Sequence, residues 1–483
     1  MYFRRPSTSR DMKKSNRASV DTAVVDICRR EVGHLSTRKF AHRRAASEDL
    51  VLRLDLVRKL EKHRGCVNTV SFNADGDILV SGSDDKIVIL WDWETGSVKL
   101  SFNSGHNHNI FQAKIMPGTD DRTIVTCAAD GQVRHATILE CGKVETKLLA
   151  RHQGRAHKLA TEPGSPHIFY TCGEDGLVQH FDLRTGKATE LFICEPVRGR
   201  SFMQVVNLNA IAIDPQNPNL FVTAGSDEFT RLYDIRSHKS NPSSPFGQPV
   251  DHFCPKHLLR DENVGITGLA FSDQSQLLVS YGEESIYLFS LSMGWGSNVN
   301  SVLDANVNND SKPGPQVYKG HRNCLTVKGV NFFGPKCEYI VSGSDCGRIF
   351  IWRKNDTKLI RVMEADKEVV NCIQPHPHIS MLASSGIESD IKIWTPTALE
   401  KAPPPTNIEN LRPKMNSWMY QMVSRRDLAL QLLAMRRQDG SPERRSTENG
   451  NGEGDMLEFI LSINDANSSE EDEGGTSARD YVY

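Results

Sequence analysis

The sequence predicts an all-β fold: a ring of seven four-stranded antiparallel sheets closed as a β-propeller, with helical or disordered extensions at both ends. Three observations predict it. One strand–turn–strand phrase recurs seven times along the middle of the chain. In four of the copies a histidine stands a nearly fixed distance before the turn. The charge is segregated: residues 1–64 hold 17 Lys+Arg and 8 Asp+Glu, residues 440–483 hold 3 and 11, and what lies between is nearly neutral.

The phrase is an apolar strand, small residues, a turn Asp, then an alternating strand closing on an aromatic. Its clearest copy is LVSGSDDKIVILWD, which closes at Trp91. The others close at Ala136, Phe181, Tyr233, Phe289, Trp352 and Trp394, at spacings of 45, 45, 52, 56, 63 and 42 residues. That is the roughly 40–45-residue period of WD40 blades, with insertions in blades four to six. Each blade cannot bury its own apolar faces, so stacking and ring closure are implied, and closure leaves only short, protected edges.

The histidines fit the same frame. His63, His106 and His152 precede Asp85, Asp130 and Asp175 by 22, 24 and 23 residues. Asp227 occupies the turn of the fourth copy, and His321 occupies the histidine position of the sixth. A buried His bonded to a turn Asp satisfies both polar groups. Recurrence over several repeats marks the pair as scaffold rather than catalysis. Blades four, five and seven lack the His, and blade two closes on Ala136, so these blades are expected to be less regular.

Closing the ring requires the last blade to borrow a strand. VLRLDLVRKLE, residues 51–61, is the candidate, with Leu52, Leu54 and Leu56 alternating against Arg53 and Asp55. A short helix is the other reading of this segment. Residues 237–256 and 292–316 are rich in Ser, Asn, Pro and Gly and read as loops, each after the third strand of its blade. They serve either as tolerated insertions or as part of a partner surface.

Outside the ring, Val20, Val24, Ile27, Cys28 and Leu35 share one face of an amphipathic helix. Ser19 caps it, Asp21 suits its first turn, Arg29 and Arg30 its last turn, and Gly33 its end. So short a helix is marginal alone in water, so it orders by docking, on the propeller or on a partner. After the Pro-rich 402–406, residues 416–438 place Trp418, Met422, Leu430 and Leu433 on a second helix face, with Arg436 and Arg437 at its end. Ser468 and Ser469 before four acids resemble acidophilic-kinase sites, and Ser47 after Arg43 and Arg44 resembles a basophilic one. The organisation is therefore 1–50 basic extension with a short helix, 51–398 propeller, 399–440 linker and helix, and 441–483 acidic disordered tail.

Several function classes drop out. No stretch approaches the ~20 apolar residues that span a bilayer, and the basic N-terminus lacks a signal-peptide core, so no membrane role is expected. The 11 cysteines include no CxxC pair, which suits a reduced compartment, nucleus or cytoplasm, and argues against a disulfide framework. There is no P-loop, GxSxG, HExxH or dinucleotide fingerprint, so no enzyme and no cofactor are expected. His376 and His378, the nearest approach to a metal pair, sit in a turn and read as structural, which leaves no metal site. The basic clusters before residue 64 suit nuclear import, nucleic-acid contact or simple solvation. The near-neutral middle makes nucleic acid an unfavoured partner.

Two blades end alike. FYTCGEDGLVQHFDLR (169–184) and FVTAGSDEFTRLYDIR (221–236) each end in Asp-x-Arg, namely Asp182-Leu183-Arg184 and Asp234-Ile235-Arg236, with a turn Asp nine residues before the Arg. These resemble consecutive copies of the 16-residue WDxR box, with Phe181 and Tyr233 in place of its Trp. With SGSDDKIVILWDW (81–93), SGHNHNIFQAK (104–114) and the stretches 318–352 and 369–398, the chain resembles the DDB-and-cullin-4-associated factor eight family over about residues 50–400. That family comprises WD40 substrate receptors of cullin-4 RING ubiquitin ligases. The resemblance implies a non-catalytic receptor that binds the DDB adaptor through Asp182, Arg184, Asp234 and Arg236. It would present a protein substrate whose identity the sequence leaves open. The helix bearing Val24, Ile27 and Cys28 resembles the helical element such receptors insert into the adaptor. Two readings of the arginines stand: direct contact with the adaptor, or pairing within the rim to hold its shape. A WD40 scaffold for a nuclear complex without a ligase link is the alternative function.

Overall fold

The computed structural model describes residues 23–197, 204–236, 247–261, 264–299 and 314–405. The expectations for Val20, Ser19, Asp21, the second helix at 416–438 and the acidic tail lie outside those residues. No helix among the described residues is long and apolar enough to cross a membrane.

Seven four-stranded antiparallel sheets form the ring. Blades 1 to 6 cover residues 67–103, 110–151, 156–193, 208–253, 266–318 and 330–364, each laid down in sequence order from its innermost strand outward. Blade 7 takes three strands from residues 370–395 and its outermost strand, Asp55–Glu61, from the other end of the chain. The second and third strands of a blade lie between neighbouring sheets, so they read as continuous apolar runs: every residue of Ile78–Ser83 is buried. Outer strands such as Ser97–Asn103 are largely exposed and polar.

There is no single core. Seven apolar clusters each span one blade–blade interface. One joins Val80 and Leu90 of blade 1 to Ile110 and Ile124 of blade 2, and another joins Leu60 and Ile391 of blade 7 to Leu79 and Trp91 of blade 1. Every blade therefore depends on both neighbours for burial, which at about 25 cal/mol per Å2 of apolar area is the main stabilising term.

Several expectations change. The borrowed strand begins at Asp55, not Val51, because Glu48–Leu52 forms a short helix, α3 among the three described here (α1, Ala23–Glu31; α2, Thr37–Ala45). Both readings of 51–61 thus hold in part. The Leu alternation does not report burial: Val51 and Leu54 are buried against blades 6 and 7, whereas Leu56 is exposed. Blade 2 is fully regular despite Ala136, which is buried where a larger ring would otherwise pack, and its outer strand Val144–Arg151 is well formed. Blade 7 is regular too. Blades 4 and 5 are the irregular ones, with outer strands of three residues, Asp251–Phe253 and Gln316–Tyr318, hidden inside or at the edge of segments read as loops.

The α helices are tied to the ring. Tyr339 Oη donates to the Ala46 carbonyl at 3.0 Å and Ser380 Oγ to the Ala45 carbonyl at 2.8 Å. Arg353 grips Glu48 with Nη2 at 2.6 Å and Nε at 3.0 Å. Ser36 caps α2 through its hydroxyl, 3.3 Å from the Lys39 N–H.

Ring closure rests on Leu60, which is fully buried opposite Ile391. Leu60→Ala should destabilise the protein by about 2–5 kcal/mol, read as a lower chemical-denaturation midpoint. The same truncation at exposed Leu56 should be nearly silent.

Candidate functional site

Three kinds of site residue were expected: the His/Asp pairs, the rim arginines and the N-terminal helix face. In blades 1 to 3 the pairs form as anticipated. His63 Nδ1 lies 2.9 Å from Asp85, His106 Nδ1 3.1 Å from Asp130, and His152 Nδ1 3.0 Å from Asp175. The opposite ring nitrogens reach Ser81, Thr126 and Thr171 at 2.8, 2.9 and 2.9 Å. Blade 1 extends the chain to Trp91, whose indole N–H donates to Ser81 Oγ at 2.8 Å. Burial opposes ionisation of Asp85, but His63 and the backbone N–H groups of Arg64 and Ile87 hold its carboxyl below the usual range. These groups are buried, mutually satisfied and repeated, which is the signature of scaffold.

In blade 6 the expected pair is absent. Both ring nitrogens of His321 are buried and neither is hydrogen-bonded. Its intended partner, Asp345, is instead held by the buried ammonium of Lys328 and by the N–H groups of Cys324 and Leu325. A permanent cation outcompetes a neutral imidazole for a buried carboxylate. His321 packs edge-on against Trp352. Burial and the Lys328 charge push its pKa down to about 4.

Blades 4 and 7 use the same substitution. Asp227 is held by Arg231 through Nη1 at 2.9 Å and Nη2 at 2.5 Å, both side chains fully buried. In blade 7, Lys392 donates to Asp366 at 2.6 Å, Glu388 at 2.8 Å and Asp390. Those three carboxylates have the spacing of a cation site, and the Lys392 ammonium is the cation they hold. The i,i+4 spacings of Asp227 with Arg231 and of Glu388 with Lys392 are the signals in the sequence that reveal this device. His376 and His378 donate through Nε2 to the Gly76 and Ala74 carbonyls, both at 3.0 Å, and so stitch blade 7 to blade 1.

The rim arginines are the exposed polar feature. Asp182 and Asp234 are the last residues of their strands, Leu177–Asp182 and Thr230–Asp234. Each carboxylate accepts the backbone N–H of the Arg two residues on, and then the guanidinium folds back onto it. Arg184 reaches Asp182 with Nε at 3.0 Å and Nη2 at 2.7 Å. Arg236 reaches Asp234 at 3.0 and 2.7 Å. The guanidinium holds the Asp182 carboxyl down at about 2. Both Arg side chains remain about 60% exposed (63% and 60%). The intramolecular pairing is thus the state of the free chain, in two neighbouring blades and with one geometry.

Strand register puts the helices on the same face. Asp182 pairs with Ile168 at the start of its blade's second strand. The matching pair in blade 6 is Tyr339 with Arg353, the two residues that anchor Ala46 and Glu48. In α1 the buried residue is Asp26, ion-paired with Arg43 of α2 at 2.8 Å. The apolar face therefore turns outward: Val24 is 70% exposed, and Val25, Ile27 and Cys28 are also exposed. Leu35, expected on that face, is buried in the turn that follows. Ser47 lies half-buried at the N-terminus of α3 rather than in a free loop.

Seven four-stranded blades, with the Asp–His–Ser–Trp chain complete in the first, define a WD40-repeat β-propeller. The profile of the WD domain, G-beta repeat family matches residues 54–92 and 315–353. Each match begins with the outer strand of one blade and continues through the first three strands of the next. The chain is similar to WD and tetratricopeptide repeats protein 1 of Mus musculus, 24% identical over 77% of this chain and 89% of that protein. It is 32% identical to Protein ALTERED SEED GERMINATION 2 of Arabidopsis thaliana over 51% of this chain and 36% of that one. It is 30% identical to DDB1- and CUL4-associated factor 6 of Homo sapiens over 55% and 31% respectively.

Two measurements follow. Asp345→Ala strands a buried ammonium and should cost about 3–5 kcal/mol in denaturant unfolding, whereas Asp182→Ala should leave the midpoint nearly unchanged. His321 is neutral in the fold below its ordinary value of 6.5 and protonates only near 4. The unfolded chain therefore binds the extra proton first, and stability should fall as pH drops from about 6.5 to about 4. His321→Phe should flatten that part of the stability–pH profile.

Proposed function

We propose that this protein is a non-catalytic substrate receptor of a cullin-4 RING ubiquitin ligase. It docks on the DDB adaptor with one propeller face and presents another surface to a protein substrate. The observation that carries the reading is the matched pair of Asp-x-Arg forks in blades 3 and 4, on the face that also anchors the helices behind α1. An arginine fork held in place loses little freedom when it meets a carboxylate or carbonyl across an interface. The outward apolar face of α1 supplies the complementary contact, since Val24, Ile27 and Cys28 cover nothing in the described chain. Similarity to DDB1- and CUL4-associated factor 6 supports the assignment at the level of the propeller. The receptor's part in ubiquitin transfer is proximity, holding the target near the activated carrier. Work in the nucleus and cytoplasm fits the lack of a disulfide-bearing cysteine among the described residues.

The test is direct binding to purified adaptor. Arg184→Ala/Arg236→Ala should weaken binding at least about thirtyfold, the scale of a hot-spot loss, with an unchanged melting temperature. Val24→Asp/Ile27→Asp should do the same, because it places charge on a face that must desolvate. A fully folded wild type that does not bind the adaptor overturns the ligase reading and leaves a WD40 scaffold. Binding that survives the arginine changes but not the helix changes assigns the forks to rim shape alone.

A further inference from the structure

The innermost strands of the blades line an axial cavity of about 270 Å3. Six of the seven carry a β-bulge at the same register position, which aligns their residues into levels. Just past the bulge, blade 3 has Lys158 where blades 1, 2 and 4 have Thr69, Gln112 and Ala210. Two residues further on, blade 2 has Lys114 where blades 1, 3 and 7 have Ser71, Ala160 and Gln374. Both lysines line the cavity, as does Lys328, whose ammonium is already paired with Asp345, and no carboxylate is among the lining residues. Cys372 reaches the same cavity from blade 7; burial pushes its thiol up, and the nearby Lys158 and Lys114 charges only partly oppose that. Burial, then the neighbouring Lys158, pulls the Lys114 ammonium down to about 8.

This contrasts with the fully buried cations. Arg231, Lys328 and Lys392 each sit against a carboxylate of their own blade. Among the described residues Lys114 and Lys158 meet none. Two like charges in a confined, poorly solvated space repel and destabilise the ring. The aligned blades show that Ser, Ala, Thr or Gln fits the same positions, so the fold itself does not require lysine there. Charge placed against stability in this way marks a ligand site.

We propose that the axial channel binds a phosphate group, held between the Lys114 and Lys158 ammoniums with Thr69, Ser71 and Gln374 as neutral hydrogen-bonding groups at the same levels. Two cations match the charge of a phosphate monoester or of inorganic phosphate, and each supplies a charge-assisted bond. The small residues of blades 4 and 5, Ala210, Gly268 and Ala270, leave the width. The source is either a free small phosphate or a phosphorylated side chain entering from one mouth of the channel. This site is independent of the adaptor reading.

The experiment titrates the full-length protein with inorganic phosphate at constant ionic strength against chloride, and separately with a phosphoserine peptide, by calorimetry. The comparison variant is Lys114→Ser/Lys158→Gln, which imports residues that blades 1 and 2 carry at those positions. Saturable phosphate binding that weakens about a hundredfold in the variant is expected, as two charge-assisted bonds are lost. The variant should melt at or above the wild-type temperature without phosphate, since the repulsion is gone. Tighter binding of the peptide than of phosphate, equally lost in the variant, assigns the site to a phosphorylated side chain. Absence of saturable binding by either probe, or equal binding by the variant, overturns the proposal. The single Lys158→Gln change repeats the comparison if the double variant is unstable.

Discussion

Everything in this molecule depends on one strand pairing, Asp55–Glu61 against Asp390–Thr395. A propeller has no central core, and each apolar cluster belongs to two blades at once. An open ring would therefore expose two half-clusters and a sheet edge, the arrangement that invites aggregation. Pairing the ends of the propeller segment removes both. It also fixes what precedes the strand. With Asp55 in register opposite Thr395, α3 must lie beside blades 6 and 7, where Val51 and Leu54 complete their shared core. The helices are thus placed by closure rather than by any strong packing of their own.

The polar interior shows how a repeat drifts without losing its fold. Blades 1 to 3 neutralise the turn Asp with a histidine. Blades 4, 6 and 7 neutralise their acids with Arg231, Lys328 and Lys392. Both solutions satisfy the same requirement, that a buried carboxylate have a partner. They differ in chemistry: blades 4, 6 and 7 bring a guanidinium or ammonium to the acid, where blades 1 to 3 bring a ring N–H.

Most of the fold was legible because the repeat was. Blade number, blade order and the closing strand follow from the period and from which ends lacked a partner. Three pairs of His and Asp were legible from spacing alone. The His321 expectation fails because its competitor, Lys328, stands just ahead of the innermost strand Val330–Phe333, and only the third dimension brings it to Asp345. The helix α2 escaped notice because TRKFAHRRA has little apolar periodicity; its order comes from the Ser36 cap and from side chains of blades 6 and 7. The strand Asp251–Phe253 was hidden by the loop composition around it. The forks at Arg184 and Arg236 were found by motif, but their self-paired geometry needed coordinates. The axial lysines gave no local signal, since only the alignment of blades shows that they face one channel.

The self-pairing of the forks bears on how a partner arrives. Each Asp-x-Arg unit is electrically neutral as a whole, so at a distance it presents a dipole, and its field dies away much faster than that of a bare arginine. Such a group does little to steer a diffusing partner and is little affected by screening salt. It acts only at contact, where the outer guanidinium edge meets an acceptor. The forks are therefore built to lengthen the lifetime of a complex once formed, not to hasten its formation, and the rate of encounter is left to the rest of the surface.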